Sequence, residues 1–151
     1  MDHIAILKKS KISNGDNLLA DILRGAKTVE SRWYVNKINP WNKIKEGHTT
    51  YFKESGCPVT VKARVSKVIQ YENLNKETIQ KIIQDYGERI SPNSSKKKMD
   101  EWVEKLLNKR YCVLIFLEGV EAVKPFDINK KGYGISCAWM CVGDIKSVKI
   151  S

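Results

Sequence analysis

The chain has no apolar run approaching about 18 residues, so no segment is built to cross a bilayer as a helix. Its start, Met1-Asp2-His3-Ile4, lacks the basic opening and apolar centre of a signal peptide. A cytoplasmic protein with no membrane partner is the expectation. The four cysteines, Cys57, Cys112, Cys137 and Cys141, include no Cys-x-x-Cys pair, and the two histidines lie far from them in sequence. That spacing suits no zinc site, and no metal or cofactor is expected. Cys112 falls in an apolar stretch, while Cys137 and Cys141 flank Trp139. All four read as small apolar side chains that stay reduced. Repeats and low-complexity segments are missing too, which leaves a single domain over residues 1–151.

Acidic residues are scarce. Lys and Arg number 27 against 17 Asp and Glu, a net charge of +10. A field of that sign attracts polyanions such as RNA, although solvated lysine faces also produce it. With 42% hydrophobic and 29% charged residues, the composition is that of an ordinary globular domain.

The chain is organised around Gly25-Ala26-Lys27-Thr28-Val29-Glu30-Ser31-Arg32-Trp33. Leu18, Leu19, Ile22 and Leu23 recur at helical spacing just before it, with Asn14 or Asp16 available as the cap. Gly25 then stops the helix. An alternating run follows, and on a strand residues two apart share a face. Thr28, Glu30 and Arg32 would point one way; Val29, Ser31 and Trp33 the other. Lys27 stands at the mouth of the strand, where it is expected to stay exposed and lean over the polar row.

The spacing Gly-x-Lys-x-x-Glu-x-Arg resembles the signature of the ASCH domain family, a branch of the PUA-like β-barrels. The likeness runs from about Ala5 to Tyr71, through a Lys45-Glu46-Gly47 turn, Tyr51-Phe52-Lys53 and a Val-rich strand. It implies an α+β fold: a small PUA-like barrel of about five to seven strands with flanking helices. A cleft beside the motif, linked to RNA or nucleoside binding, comes with it. Some members resemble amidohydrolases acting on an acylated cytidine, and others cleave RNA. In the amidohydrolase branch the motif lysine works beside a threonine three residues on, a position that Glu30 holds here. A carboxylate replaces a hydroxyl nucleophile poorly but can act as a base. Lys27 and Glu30 are thus the catalytic pair only if the protein is an enzyme, a nucleoside hydrolase or a metal-independent ribonuclease. Many relatives place Asp after the turn glycine; here it is His48, read as an exposed turn residue.

Elsewhere, Ile4–Leu7 reads as a first strand. Trp33 to Trp41, with Tyr34, Lys37 and Pro40, reads as a loop of rings and cations suited to stacking on unpaired bases. Trp33 and Trp41 have a second role open to them, as plugs of the barrel end. Thr50–Lys53 and Val59–Ser66 read as strands, the second with Lys62 and Arg64 outward and a bulge after Ser66. Asn75 caps a helix carrying Ile79, Ile82, Ile83 and Tyr86, closed by Gly87. Lys96-Lys97-Lys98 reads as a solvated entry to a helix with Trp102 in the core. Tyr111–Leu117 reads as a strand buried on both faces, continued by Val120–Phe126. A basic loop spans Asn129–Gly134, and Asp144–Ile150 closes the fold as a last strand.

Three functions compete. A binding module would use Lys27, Glu30, Arg32 and Lys53 for polar contacts, with Trp33, Tyr34, Trp41 and Trp139 as rings around an RNA, nucleoside or nucleotide. An enzyme would use Lys27 and Glu30 in hydrolysis. A purely structural cluster would pair Glu30 with Arg32 and bury the tryptophans elsewhere.

Overall fold

The computed structural model describes residues 1–8, 17–134 and 136–150. Seven strands form one mixed sheet: β1 Asp2–Leu7, β2 Val29–Tyr34, β3 Thr49–Glu54, β4 Val59–Tyr71, β5 Tyr111–Ile128, β6 Trp139–Gly143 and the short β7 Lys149–Ile150. Among the described residues three α-helices flank it: α1 Leu18–Leu23, α2 Lys76–Ile90 and α3 Lys96–Lys105. The strand order is β2-β5-β4-β3-β1-β6, with β7 added beside β5. All pairs are antiparallel except β1 with β3. This is the expected α+β architecture, a sheet curled into a half-barrel.

The curl comes from the long strands. Pairing of β4 with β5 shifts register three times, once between Val65 and Lys67, beside the expected bulge. Such irregularities increase local twist and bend the strand. The two segments expected over 111–117 and 120–126 are one strand of 18 residues, with Gly119 at φ +56°. Alternation along β5 then divides the core. Val113, Ile115 and Leu117 point into the barrel with Phe52, Val61, Val65 and Trp139. Cys112, Leu114 and Phe116 point outward under Ile79, Ile82, Ile83 and Ile90 of α2 and Val103 of α3. A third cluster, Ile4, Met140, Val142 and Val148, covers the outer face of β1.

Four local expectations change. Asn14 and Asp16 lie outside the described residues, and Asn17 caps α1 through a side-chain bond from the Ala20 N–H. Helix α2 does not stop at Gly87. It runs to Ile90, because Ile90 is buried in the outer core, and Gly87 lies against Met99, whose sulfur would be 3.2 Å from an added Cβ. Trp33 and Tyr34 belong to β2 rather than to a loop, since their backbones pair with Cys112 and Tyr111. The last strand is broken: β6 ends at Gly143, a 3-10 turn over Ile145–Ser147 follows, and β7 is two residues long.

Candidate nucleotide cleft

The extra turn of α2 decides what happens at the motif. Arg89 and Ile90 bring the helix C-terminus against the start of β2, where the Thr28 N–H donates to the Arg89 carbonyl. The last carbonyls of a helix have no partner within it and carry partial negative charge. Lys27 fills that need. Its Nζ donates to the Ile90 carbonyl at 2.7 Å and to the Val29 carbonyl at 2.9 Å, and lies 3.4 Å from Glu30 Oε1. An ammonium has three N–H donors. All three are directed at acceptors, and the side chain is 1% exposed. The expected exposed lysine is therefore a buried one. Desolvation lowers its pKa, against the pull of Glu30.

Glu30 is equally committed. Oε1 accepts the Ser31 N–H at 3.0 Å, and Oε2 lies 3.3 Å from Arg32 Nη2. Burial works to raise its pKa, but the Lys27 and Arg32 charges hold it below the usual carboxylate range. Arg32 reaches across the mouth of the half-barrel. It donates to the Ile6 carbonyl of β1 and to the Ala138 carbonyl just before β6, both at 3.3 Å. These lie at the far end of the sheet from β2, so one guanidinium laces the two edges together. Its Nε is buried and has no partner among the described residues. Its Cζ sits 5.1 Å from the centroid of the Trp139 ring. Tyr34 follows on the same face of β2, half-buried, where burial outweighs the opposing Arg32 charge and pushes its hydroxyl up to about 12.

Trp139 is not a rim residue. It is 2% exposed in the inner core, and its Nε1 donates to His3 Nδ1 at 3.1 Å. That bond fixes the neutral tautomer of His3, whose Nε2–H then faces His48 Nδ1 at 2.9 Å. Burial, with the His48 charge, lowers the His3 pKa to about 4. His48 is half-buried and stacked on His3 at 5.1 Å, not an exposed turn residue, because its Nδ1 also caps the Lys45 N–H. A polar chain thus runs from His48 through His3, Trp139, Arg32 and Glu30 to Lys27.

Above this chain opens a cleft of about 630 Å³ between β2 and the α2–α3 pair. Lys27, Glu30, Ser31 and Trp33 form its floor and one wall; Ser91, Ser94, Lys98, Trp102 and Lys105 form the other. Trp33 and Trp102 meet edge to face at 6.3 Å, and Trp33 Nε1 donates to Ser31 Oγ at 3.0 Å. Trp102 is half-buried, so the ring expected in the core is also a wall of the cleft. Lys98, Glu101, Trp102 and Lys105 follow the i, i+3, i+4, i+7 spacing of one helical face. That spacing was the sequence signal for this wall, hidden because the lysine run read as a solvated entry. A larger hollow of about 860 Å³ lies between α2 and α3 and contains none of the motif residues.

Of the expected ligand residues, Lys27, Glu30 and Trp33 line the cleft; Arg32, Tyr34 and Trp139 stand at the barrel mouth and in the core instead, and Trp41 and Lys53 lie elsewhere. Trp41 packs edge-on to Tyr111 at 5.2 Å with Lys37 over its ring, and does not line the cleft. Lys53 pairs across from Ile6, on the outer face of the sheet, whereas Glu30 and Arg32 face the barrel mouth. Lys62 and Arg64 form cross-strand ion pairs with Glu121 and Glu118, so the outer face of β4 is largely neutralised. Among the described residues no group of His, Cys, Asp or Glu is arranged to hold a metal ion, and no helix is long and apolar enough to span a membrane.

A half-barrel whose edges meet at a motif row, with a helix-walled cleft above it, defines a PUA-like architecture. No protein-family model and no curated protein matches the sequence. Solved structures do match. The ASCH protein of Zymomonas mobilis superposes with a TM-score of 0.55 at 13% identity, over 82% of this chain and 71% of that one. Two mutants of that protein, one tyrosine-to-phenylalanine and one serine-to-alanine, give TM-scores of 0.64 and 0.63 at 12% and 14% identity. Each covers 97% of this chain, and 93% and 91% of its own. The chain therefore has the ASCH fold.

Proposed function

We propose that this protein binds RNA or a nucleotide in the cleft between β2 and the α2–α3 pair. The observation that carries the reading is the lining itself. Two tryptophans and three lysines, Lys8, Lys98 and Lys105, surround one opening above the buried charges. A base stacks on the Trp33–Trp102 wall, and the lysines meet its phosphates. Base–ring stacking is worth about 1–3 kcal/mol per base and tolerates any sequence. Glu30 Oε2 keeps acceptor capacity for an exocyclic amine beyond its bond from Arg32. Lys27 acts as a brace rather than a ligand, because its donors are already directed at protein acceptors. The same saturation counts against a hydrolase in which Lys27 activates a nucleophile. The ASCH fold supports the nucleic-acid reading at the level of architecture.

The test is binding of a short single-stranded RNA across a salt series. Trp102→Ala is expected to weaken binding by about 1–3 kcal/mol. Lys98→Gln with Lys105→Gln should flatten the salt dependence. Equal binding by wild type and both variants would reject the cleft. The same samples, checked for cleaved RNA and for acetate released from acetylated cytidine, are expected to show intact substrates.

A further inference from the structure

The end of the β2–β5 pair carries a second set of rings that the cleft does not use. Trp41 meets Tyr111 edge to face at 5.2 Å, and both are partly exposed. Tyr111 pairs with Tyr34, one position from the pairing of Trp33 with Cys112. Side chains alternate along a strand, so Tyr111 and the Trp33–Trp102 wall lie on opposite faces of the same strand end. Lys37 stands over both rings, its Nζ 5.9 Å from the Trp41 centroid and 5.6 Å from that of Tyr111. Its ion pair with Glu72 is long, at 3.7 Å, and joins two exposed side chains. Such a pair holds its cation weakly.

Folding alone does not account for this corner. The Trp41 Nε1 is buried with no partner among the described residues. A phenylalanine would orphan no donor, so the larger ring is kept at a cost. Val35 and Ile38, on either side of Lys37 in sequence, are 46% and 53% exposed. Yet the segment is firmly held. Gln70 Oε1 accepts the Asn42 N–H at 2.7 Å, its Nε2 donates to Asn42 Oδ1 at 2.8 Å, and Pro40 and Ile44 are buried. Rings and cation thus stand on a fixed surface, which lowers the ordering cost of binding. Arg110, whose N–H donates to the Tyr34 carbonyl at 2.9 Å, closes the ladder between the two faces. It is exposed and has no ion pair with any described residue.

We propose that Trp41, Tyr111 and Lys37 form a second base-stacking subsite, reached by a single strand of RNA that leaves the cleft and passes round the end of β2 beside Arg110. The inference rests on the cleft reading for the first nucleotide and extends it to the path of the strand. A base packs on the open side of the Trp41 ring, while Lys37 and Arg110 meet phosphates. Rings interleaved with cations accept any base. A free nucleotide fills the cleft and goes no further; only a longer strand spans both pairs of rings.

That difference is the test on the full-length protein. The probes are adenosine 5′-monophosphate and a single-stranded RNA of about ten nucleotides, within the usual span of such sites. In the wild type, the indole N–H signal of Trp41 is followed by NMR. It should move with the RNA and stay still with the mononucleotide, which requires no variant. Trp41→Leu keeps an apolar filler without a ring, and should weaken RNA binding about tenfold while mononucleotide affinity is unchanged. Lys37→Gln, a surface change, should lower the RNA slope of log affinity against log salt by about 0.7. A Trp41 signal that ignores RNA, or equal RNA affinity and salt slope in wild type, Trp41→Leu and Lys37→Gln, overturns the subsite. If Trp102→Ala then still weakens both probes, the cleft stands without it. RNA binding that falls in Trp41→Leu but ignores Trp102→Ala keeps the ring subsite and rejects the cleft and the path from it.

Discussion

Lys27 and Lys53 are both buried, at 1% and 8% exposure, and desolvation lowers the pKa of each. The fold treats them in opposite ways. Lys27 meets a helix C-terminus, a strand carbonyl and a carboxylate. Lys53 has no hydrogen-bond or ion-pair partner among the described residues, and its ammonium is not among the buried unpartnered atoms. The first is a structural joint, and the second buries its stem while its charge reaches water. Burial alone therefore says little about what a charged residue is for. The count of partners against donors separates a brace from a solvated charge.

Lys27→Met breaks the comparison where it is strongest. Methionine fills much of the same space but leaves the Ile90 and Val29 carbonyls buried without donors and removes one partner of Glu30. A loss of about 3–5 kcal/mol is expected, the usual cost of deleting one member of a buried pair. Urea unfolding measures it. A change below about 1 kcal/mol would mean that Lys27 is not a joint, since that is the range of exposed ion pairs.

A third buried base sharpens the contrast. His3 is held neutral by the Trp139 N–H on one side and by His48 on the other. Its pKa is lowered from 6.5 to about 4. The unfolded chain thus binds more protons than the folded one between those values, and stability falls as pH drops from about 6.5 towards 4. The full effect approaches about 3 kcal/mol. His48, also lowered by burial, acts in the same direction. Glu30 adds a separate limb below the usual carboxylate pKa, because its folded pKa is depressed and its stabilisation is lost as pH falls through that value. In His3→Gln, the upper limb should flatten while the lower one remains. Unfolding free energies from pH 7 down to about 2 would show both limbs, and an unchanged upper limb would remove His3 as its source.

Glu30→Gln tests the carboxylate between Lys27 and Arg32. The amide keeps acceptor capacity but loses its charge, so the two cations lose their shared counterion. About 2–3 kcal/mol of destabilisation is expected, in the range for hydrogen bonds to charged groups. Near-neutral behaviour would show that backbone carbonyls alone suffice for both cations.

How much of this could be read in the sequence follows from the range of each interaction. Alternation in β2 and β4 and helical spacing in α2 are local, and they gave the architecture. The Gly-x-Lys-x-x-Glu-x-Arg spacing found the row, and the pairing of Glu30 with Arg32 is a two-residue relationship on one strand. Lys27 reads as exposed in the sequence because its main partner, Ile90, is 63 residues away and belongs to a helix turn beyond Gly87. Trp139 reads as a rim aromatic because the groups that bury it, Arg32 over its ring and His3 on its indole N–H, are distant in sequence, His3 by 136 positions. Trp102 reads as core because its apolar stripe is real; only the packing of α3 beside β2 turns that stripe into a cleft wall.

The smallest expected stability change carries the sharpest contrast. Lys53→Met removes a charge that has no partner among the described residues, so none of their acceptors is orphaned. The stem of Lys53 is buried while its ammonium reaches water, so methionine keeps most of the packing. The substitution should change stability by less than about 0.5 kcal/mol, the range of changes away from buried networks. Urea unfolding beside Lys27→Met measures it. A loss comparable to that of Lys27→Met would mean that Lys53 is a joint like the other, and the difference between the two lysines would disappear.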